Sequence, residues 1–137
     1  MPETIRRVDY FYIEVPDKPG EGAKVLAALR DAGINLLAYT GFPRGRRAQL
    51  DFIPEDPASF KAAAKKIGLK LSAKKTGFWI QGLDRPGAIA ALMGKLAAAN
   101  VNVTASDAVC AGKGRYGAIL WVKSADLRKA AKALGAK

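Results

Sequence analysis

The sequence predicts an α+β fold: two βαββαβ units in tandem, each an antiparallel sheet with its helices on one face. Three observations predict it. Residues 17–35, DKPGEGAKVLAALRDAGIN, recur as residues 84–102, DRPGAIAALMGKLAAANVN. Short runs rich in β-branched and aromatic residues alternate with longer alanine-rich segments of helical period. Glycine, proline and aspartate punctuate the changes between them.

The elements follow in chain order. VDYFYIEV reads as a strand, and DKPG breaks it. EGAKVLAALRDAG places Val25, Leu26 and Leu29 on one helical face, with Gly33 as the stop. INLLAYT and AQLDFIP are the next strands, separated by the turn GFPRGRR. DPASFKAAAKKIG is a second helix with Asp56 as N-cap, Pro57 in the first turn and Gly68 as its end. LKLSAK supplies a short fourth strand, completing the βαββαβ order of ferredoxin-like folds.

Sliding the chain on itself by about 67 positions, from Asp17 to Asp84, aligns Phe11 with Phe78, Ile13 with Ile80 and Leu29 with Leu96 without a gap. The second copy reads TGFWIQGL, GAIAALMGKLAAAN, VNVTASDAV, RYGAILWV and SADLRKAAKALG, with no fourth strand. The expected domains are residues 1–73 and 74–137. The first strand of the second copy would be left as a bare sheet edge. A hairpin between LKLSAK and GFWIQGL is the expected cover.

Composition narrows the function. One cysteine, Cys110, excludes an intramolecular disulfide, and the absence of histidine removes the commonest general base and metal ligand. Catalysis, a metal centre and a cofactor are therefore not expected, and Cys110 reads as an ordinary strand or loop residue. No apolar run reaches the length of a membrane span, and the first residues lack a signal-peptide core, so a cytoplasmic protein is expected. The formal charge of +11 attracts nucleic acid non-specifically, but its lysines and arginines are scattered, as on solvated helix faces. A basic nucleic-acid-binding protein with exposed aromatics such as Tyr12, Trp79 and Trp121 is the alternative function.

The repeated loop has its own chemistry. Its glycine, Gly20 or Gly87, permits backbone angles denied to other residues, and the following helix offers free N–H groups suited to a carboxylate. Asp17 or Asp84 supplies a carboxylate for an ammonium group, and Asn35 or Asn102 an amide that donates and accepts. These complement the backbone of an amino acid. The structural alternative has Asp capping the helix, Pro-Gly shaping the turn and Asn opening a strand.

The βαββαβ order, D-x-P-G after the first strand and GINL or NVNV leading into the second resemble ACT domains, over nearly the whole chain and twice. The resemblance implies a non-enzymatic, stand-alone tandem ACT-domain protein, a sensor that binds an amino acid near an ACT–ACT interface. It further implies a homodimer that regulates a separate protein partner. On the family pattern the ligand would touch Asp17, Lys18, Pro19, Gly20, Glu21, Gly22 and Asn35. The matching positions are Asp84, Arg85, Pro86, Gly87, Ala88, Ile89 and Asn102. Glu21 and Gly22 against Ala88 and Ile89 make the two loops unequal, and DRPGAI lies closer to the family pattern.

Overall fold

The computed structural model describes residues 3–137. Its elements are β1 (Thr4–Pro16), α1 (Glu21–Asp31), β2 (Leu36–Arg44), β3 (Arg47–Pro54), α2 (Pro57–Ile67), β4 (Lys75–Leu83), α3 (Ala88–Ala98), β5 (Val103–Cys110), β6 (Arg115–Val122) and α4 (Leu127–Leu134). A single 3-10 turn, Ser124–Asp126, precedes α4. The strand order is β2-β3-β1-β4-β6-β5. The chain divides into two compact units. The first is Asp9–Lys75. The second is Thr76–Lys137 together with the N-terminal residues through Val8.

In the first unit β3 pairs antiparallel with β1 and β2, with Phe11 opposite Phe52 and Tyr39 opposite Phe52 on the other side. Alternation along β1 sends Phe11, Ile13 and Val15 into the core. There Phe60 of α2 stacks on Phe11 at 5.5 Å between ring centroids and lies 5.6 Å from Phe52. Leu29 is buried, whereas Val25 and Leu26 pack around the core half-covered. Both predicted ends of α2 are present. Asp56 accepts a hydrogen bond from the Ser59 N–H at 3.2 Å, and Gly68 adopts φ +90°, the left-handed geometry of a helix terminus.

The predicted fourth strand of this unit does not form. Residues 69–74 carry no strand, although Ser72 donates its backbone N–H to the Tyr12 carbonyl at 2.9 Å. The return bond from the Tyr12 N–H goes to the Ser72 hydroxyl, at 3.0 Å, in place of a backbone carbonyl. A side chain has thus taken one rung of the ladder, and regular pairing does not propagate.

In the second unit β6 pairs antiparallel with β4 and β5, with Phe78 opposite Leu120 and Cys110 opposite Tyr116. The core holds Phe78, Ile80, Leu92, Leu96, Leu120, Ala130 and Leu134. The expected hairpin between residues 69–74 and β4 is replaced by another arrangement. The neighbours of β4 are β6 and β1, so its edge is not bare. Ile5 enters the same core, and Arg6 lies over the Trp79 ring at 4.6 Å. Lys137 adds to this edge: its N–H donates to the Ile5 carbonyl at 3.0 Å, and the Arg7 N–H donates to the Lys137 carbonyl at 3.1 Å. The start of β1 fills the place that the repeat leaves vacant after α4. The physical reason is that an unpaired β4 would leave its backbone polar groups and the flank of Phe78 and Ile80 uncovered.

Two outcomes are expected. Ile5→Ala should lower stability by about 2–5 kcal/mol, the usual range for a truncated core aliphatic, with hydrogen exchange accelerating in β4 before β3. Equal acceleration in both would refute the assignment of Ile5 to the second unit. For Asp56, the Ser59 backbone and hydroxyl hydrogen bonds hold the carboxyl below its ordinary value. A group with a lowered folded pKa stabilises above its unfolded value and loses that effect as pH falls through the folded one. Asp56→Ala should therefore melt a few degrees lower at neutral pH, and the difference should vanish in acid.

Candidate ligand site

The two repeated loops share one backbone. Gly20 and Gly87 sit at the N-caps of α1 and α3 with φ +90° and +82°, in the left-handed region. A Cβ on either would meet no atom within 4 Å, so the glycine is required by conformation and not by crowding. Neither helix has a side-chain cap. The reading of Asp17 and Asp84 as helix caps is thereby overturned, and their carboxylates are left for other partners.

At the second loop those partners surround a cavity of about 410 Å³. Asp84, Arg85, Gly87, Ala88, Ile89 and Ala90 form one wall, and Ala108, Val109, Cys110 and Tyr116 the other. The loop is tied to the β5–β6 turn by the Asp84 N–H, which donates to the Gly114 carbonyl at 2.9 Å. Ile89 and Ala90 lie in the first turn of α3, where backbone N–H groups lack intrahelical acceptors. Hydrogen bonding to the Asp84 carboxylate, then partial desolvation and that carboxylate's charge, push the Cys110 thiol above its ordinary pKa. Tyr116 bonds through its hydroxyl to the Glu3 carboxylate. Burial first, and then Glu3, raise the Tyr116 pKa well beyond the usual phenol range, while the Arg85 charge acts in the opposite direction. Gly82 makes room for the Tyr116 ring: a Cβ there would lie 2.7 Å from it.

Of the residues expected at this loop, Pro86 is exposed in the turn and does not line the cavity. Asn102 is exposed just before β5 and is also outside the lining. The far wall was not foreseen. Cys110, read from sequence as an ordinary residue, faces Asp84 across the cavity, and the β5–β6 register that brings Tyr116 opposite it has no local signal in the sequence.

The first loop is arranged differently. Asp17, Lys18, Pro19 and Gly20 are exposed, and Glu21 pairs with Lys24 at 3.4 Å. The Asn35 amide donates to Glu55 at 3.1 Å. Above the helix start lies Tyr39, whose hydroxyl is 3.5 Å from where a Cβ on Gly22 would be and 3.0 Å from one on Gly41. The corresponding residues of the second unit are Ser106, Ile89 and Ala108. The first unit thus places its bulk on the strand and none on the helix, and the second does the reverse.

The Cys110–Asp84 contact is open to a direct check. Alkylation of Cys110 by iodoacetamide, followed by mass spectrometry across pH, should require more alkaline solution than a free thiol does. Asp84→Asn, which removes the charge, should move that profile toward lower pH; an unmoved profile would mean that the contact does not govern the thiol.

No protein-family model matches the sequence, and no curated protein matches it. Solved structures do. Protein BT0572 from Bacteroides thetaiotaomicron superposes with a TM-score of 0.83 at 20% identity, over 96% of this chain and 88% of that one. The regulatory subunit of aspartate kinase from Thermus thermophilus, in a ligand-free form, gives 0.65 at 18% identity, over 98% and 95%. A C-terminal regulatory domain of aspartate kinase from Porphyromonas gingivalis gives 0.56 at 14%, over 98% and 95%. With four α-helices and a sheet among the described residues, the chain has the fold of ACT-type regulatory domains.

Proposed function

We propose that the chain is a non-enzymatic sensor, built from two tandem ACT-like units, that binds an amino acid at the second loop and regulates a separate protein partner. The observation that carries this reading is the cavity at Asp84–Ala90, which has a role for each part of the ligand. The first-turn N–H groups of α3 receive the carboxylate, and Asp84 receives the ammonium group, releasing Cys110 as it does so. Ile89, Ala108 and Val109 offer an apolar surface, which suits an aliphatic side chain. Val109 is 67% exposed in the isolated chain, consistent with a homodimer whose second copy completes the site. Binding would favour one arrangement of the protein and thereby alter its affinity for the partner. The first loop, with Tyr39 over Gly22, is the weaker candidate. The likeness in fold to aspartate kinase regulatory subunits agrees with such a role. Nucleic-acid binding has less behind it, because Trp121 is only 5% exposed and offers no face for a base to stack on.

Thermal unfolding against the natural amino acids at millimolar concentration tests the proposal. An aliphatic amino acid at about a hundredfold its Kd should stabilise by roughly 2.7 kcal/mol and raise the midpoint by several degrees. Asp84→Asn should abolish the shift and Asp17→Asn should leave it. A shift lost with Asp17→Asn alone would move the site to the first loop. No shift with any amino acid would overturn the reading.

A further inference from the structure

The first unit carries a second cavity, of about 630 Å³, away from its D-x-P-G loop. Its walls come from β1, the β2–β3 turn and residues 70–72. Arg44, Arg47 and Lys70 line it against one carboxylate, Glu14, leaving an excess of positive charge. Both guanidinium groups are held in place. The Arg47 Nη2 donates to the Glu14 carbonyl at 3.2 Å, with its Nε 3.9 Å from the Glu14 carboxylate. The Arg44 Nη1 donates to Gln49 at 2.7 Å. A guanidinium has more N–H donors than these contacts use, and positioning them in advance lowers the entropic cost of binding. Tyr12 lines the same cavity, and the Lys75 ammonium lies 5.5 Å from its ring centroid, adding positive charge nearby.

We propose that this cleft is a binding site for a small molecule bearing a phosphate dianion. Forked arginine donors match phosphate oxygens, and Lys70 supplies a third charge without demanding a fixed direction. The volume falls within the range of small-molecule sites and exceeds the needs of a bare phosphate, so an organic group beside Tyr12 is accommodated. The site is independent of the amino-acid reading: it uses other residues and survives if that reading fails.

The test is calorimetric titration of the full chain with AMP, with inorganic phosphate and with a short single-stranded DNA. AMP should bind saturably. Lys70→Gln, and separately Arg44→Gln, should each weaken it about tenfold, the usual effect of losing one charge-assisted contact. Arg46→Gln removes an equal charge from the same turn but not from the cavity lining, and should change little. Tighter binding of AMP than of phosphate would identify a nucleotide-like ligand, and equal binding would identify free phosphate; either supports the site. Equal losses with Arg46→Gln and Lys70→Gln, or binding of the DNA alone, would overturn it in favour of a diffuse basic surface. Absence of saturable AMP and phosphate binding would overturn it as well. Asp84→Asn should not alter any of these titrations.

Discussion

A β-strand has hydrogen-bonding groups along both edges, and the second unit depends on how that demand is met at β4. One edge pairs with β6, and the other is adjacent to β1. With both edges occupied, alternation along β4 buries Phe78 and Ile80 against α3 and α4. The strand then delivers Asp84 into the loop at a defined height beside β5. If the pairing slipped by one residue, Phe78 and Ile80 would exchange faces with Trp79 and Gln81, and the loop would move with them. The cavity is therefore a product of the sheet as much as of the loop that gives it its most distinctive residues.

The two loops show how one backbone can carry two chemistries. Left-handed glycines start both helices, and neither helix has a side-chain cap. What differs is volume. Tyr39 occupies space above Gly22, whereas the second unit has Ser106 and Ile89 in those positions. Such an exchange of bulk between strand and helix preserves the packing while changing which side of the gap is open. Asn35 is likewise engaged with Glu55, where the second unit has Val122 and offers Asn102 no such carboxylate.

Much of the fold was legible because it is written locally. The helix ends at Asp56 and Gly68, the alternation in β1 and the repeated D-x-P-G each act over a few residues. The failures share a different cause. Residues 69–74 have a strand-like pattern, but a Ser72 hydroxyl took a rung that no propensity predicts. The cover for β4 came from the far end of the chain, with Ile5 as its anchor, and distance along the sequence hid it. The site divides in the same way. Asp84, Arg85, Gly87, Ala88 and Ile89, which line the cavity, lie within one short stretch that carries the motif. Cys110 and Tyr116 meet them only through strand register, so nothing in their neighbourhood marked them.

The bonds between Ile5, Arg7 and Lys137 carry a kinetic consequence. Ile5 and Arg7 are far from Lys137 along the sequence, so the contact closes a long loop. Closure costs entropy before it returns any packing, which slows folding in proteins with many such contacts. During synthesis the first unit has all its residues long before the second. The early part of β1 gains its folded-state neighbours only once β4 and the residues around Lys137 have been made. The second unit, with its cavity, is thus the one whose completion requires segments far apart in sequence to meet.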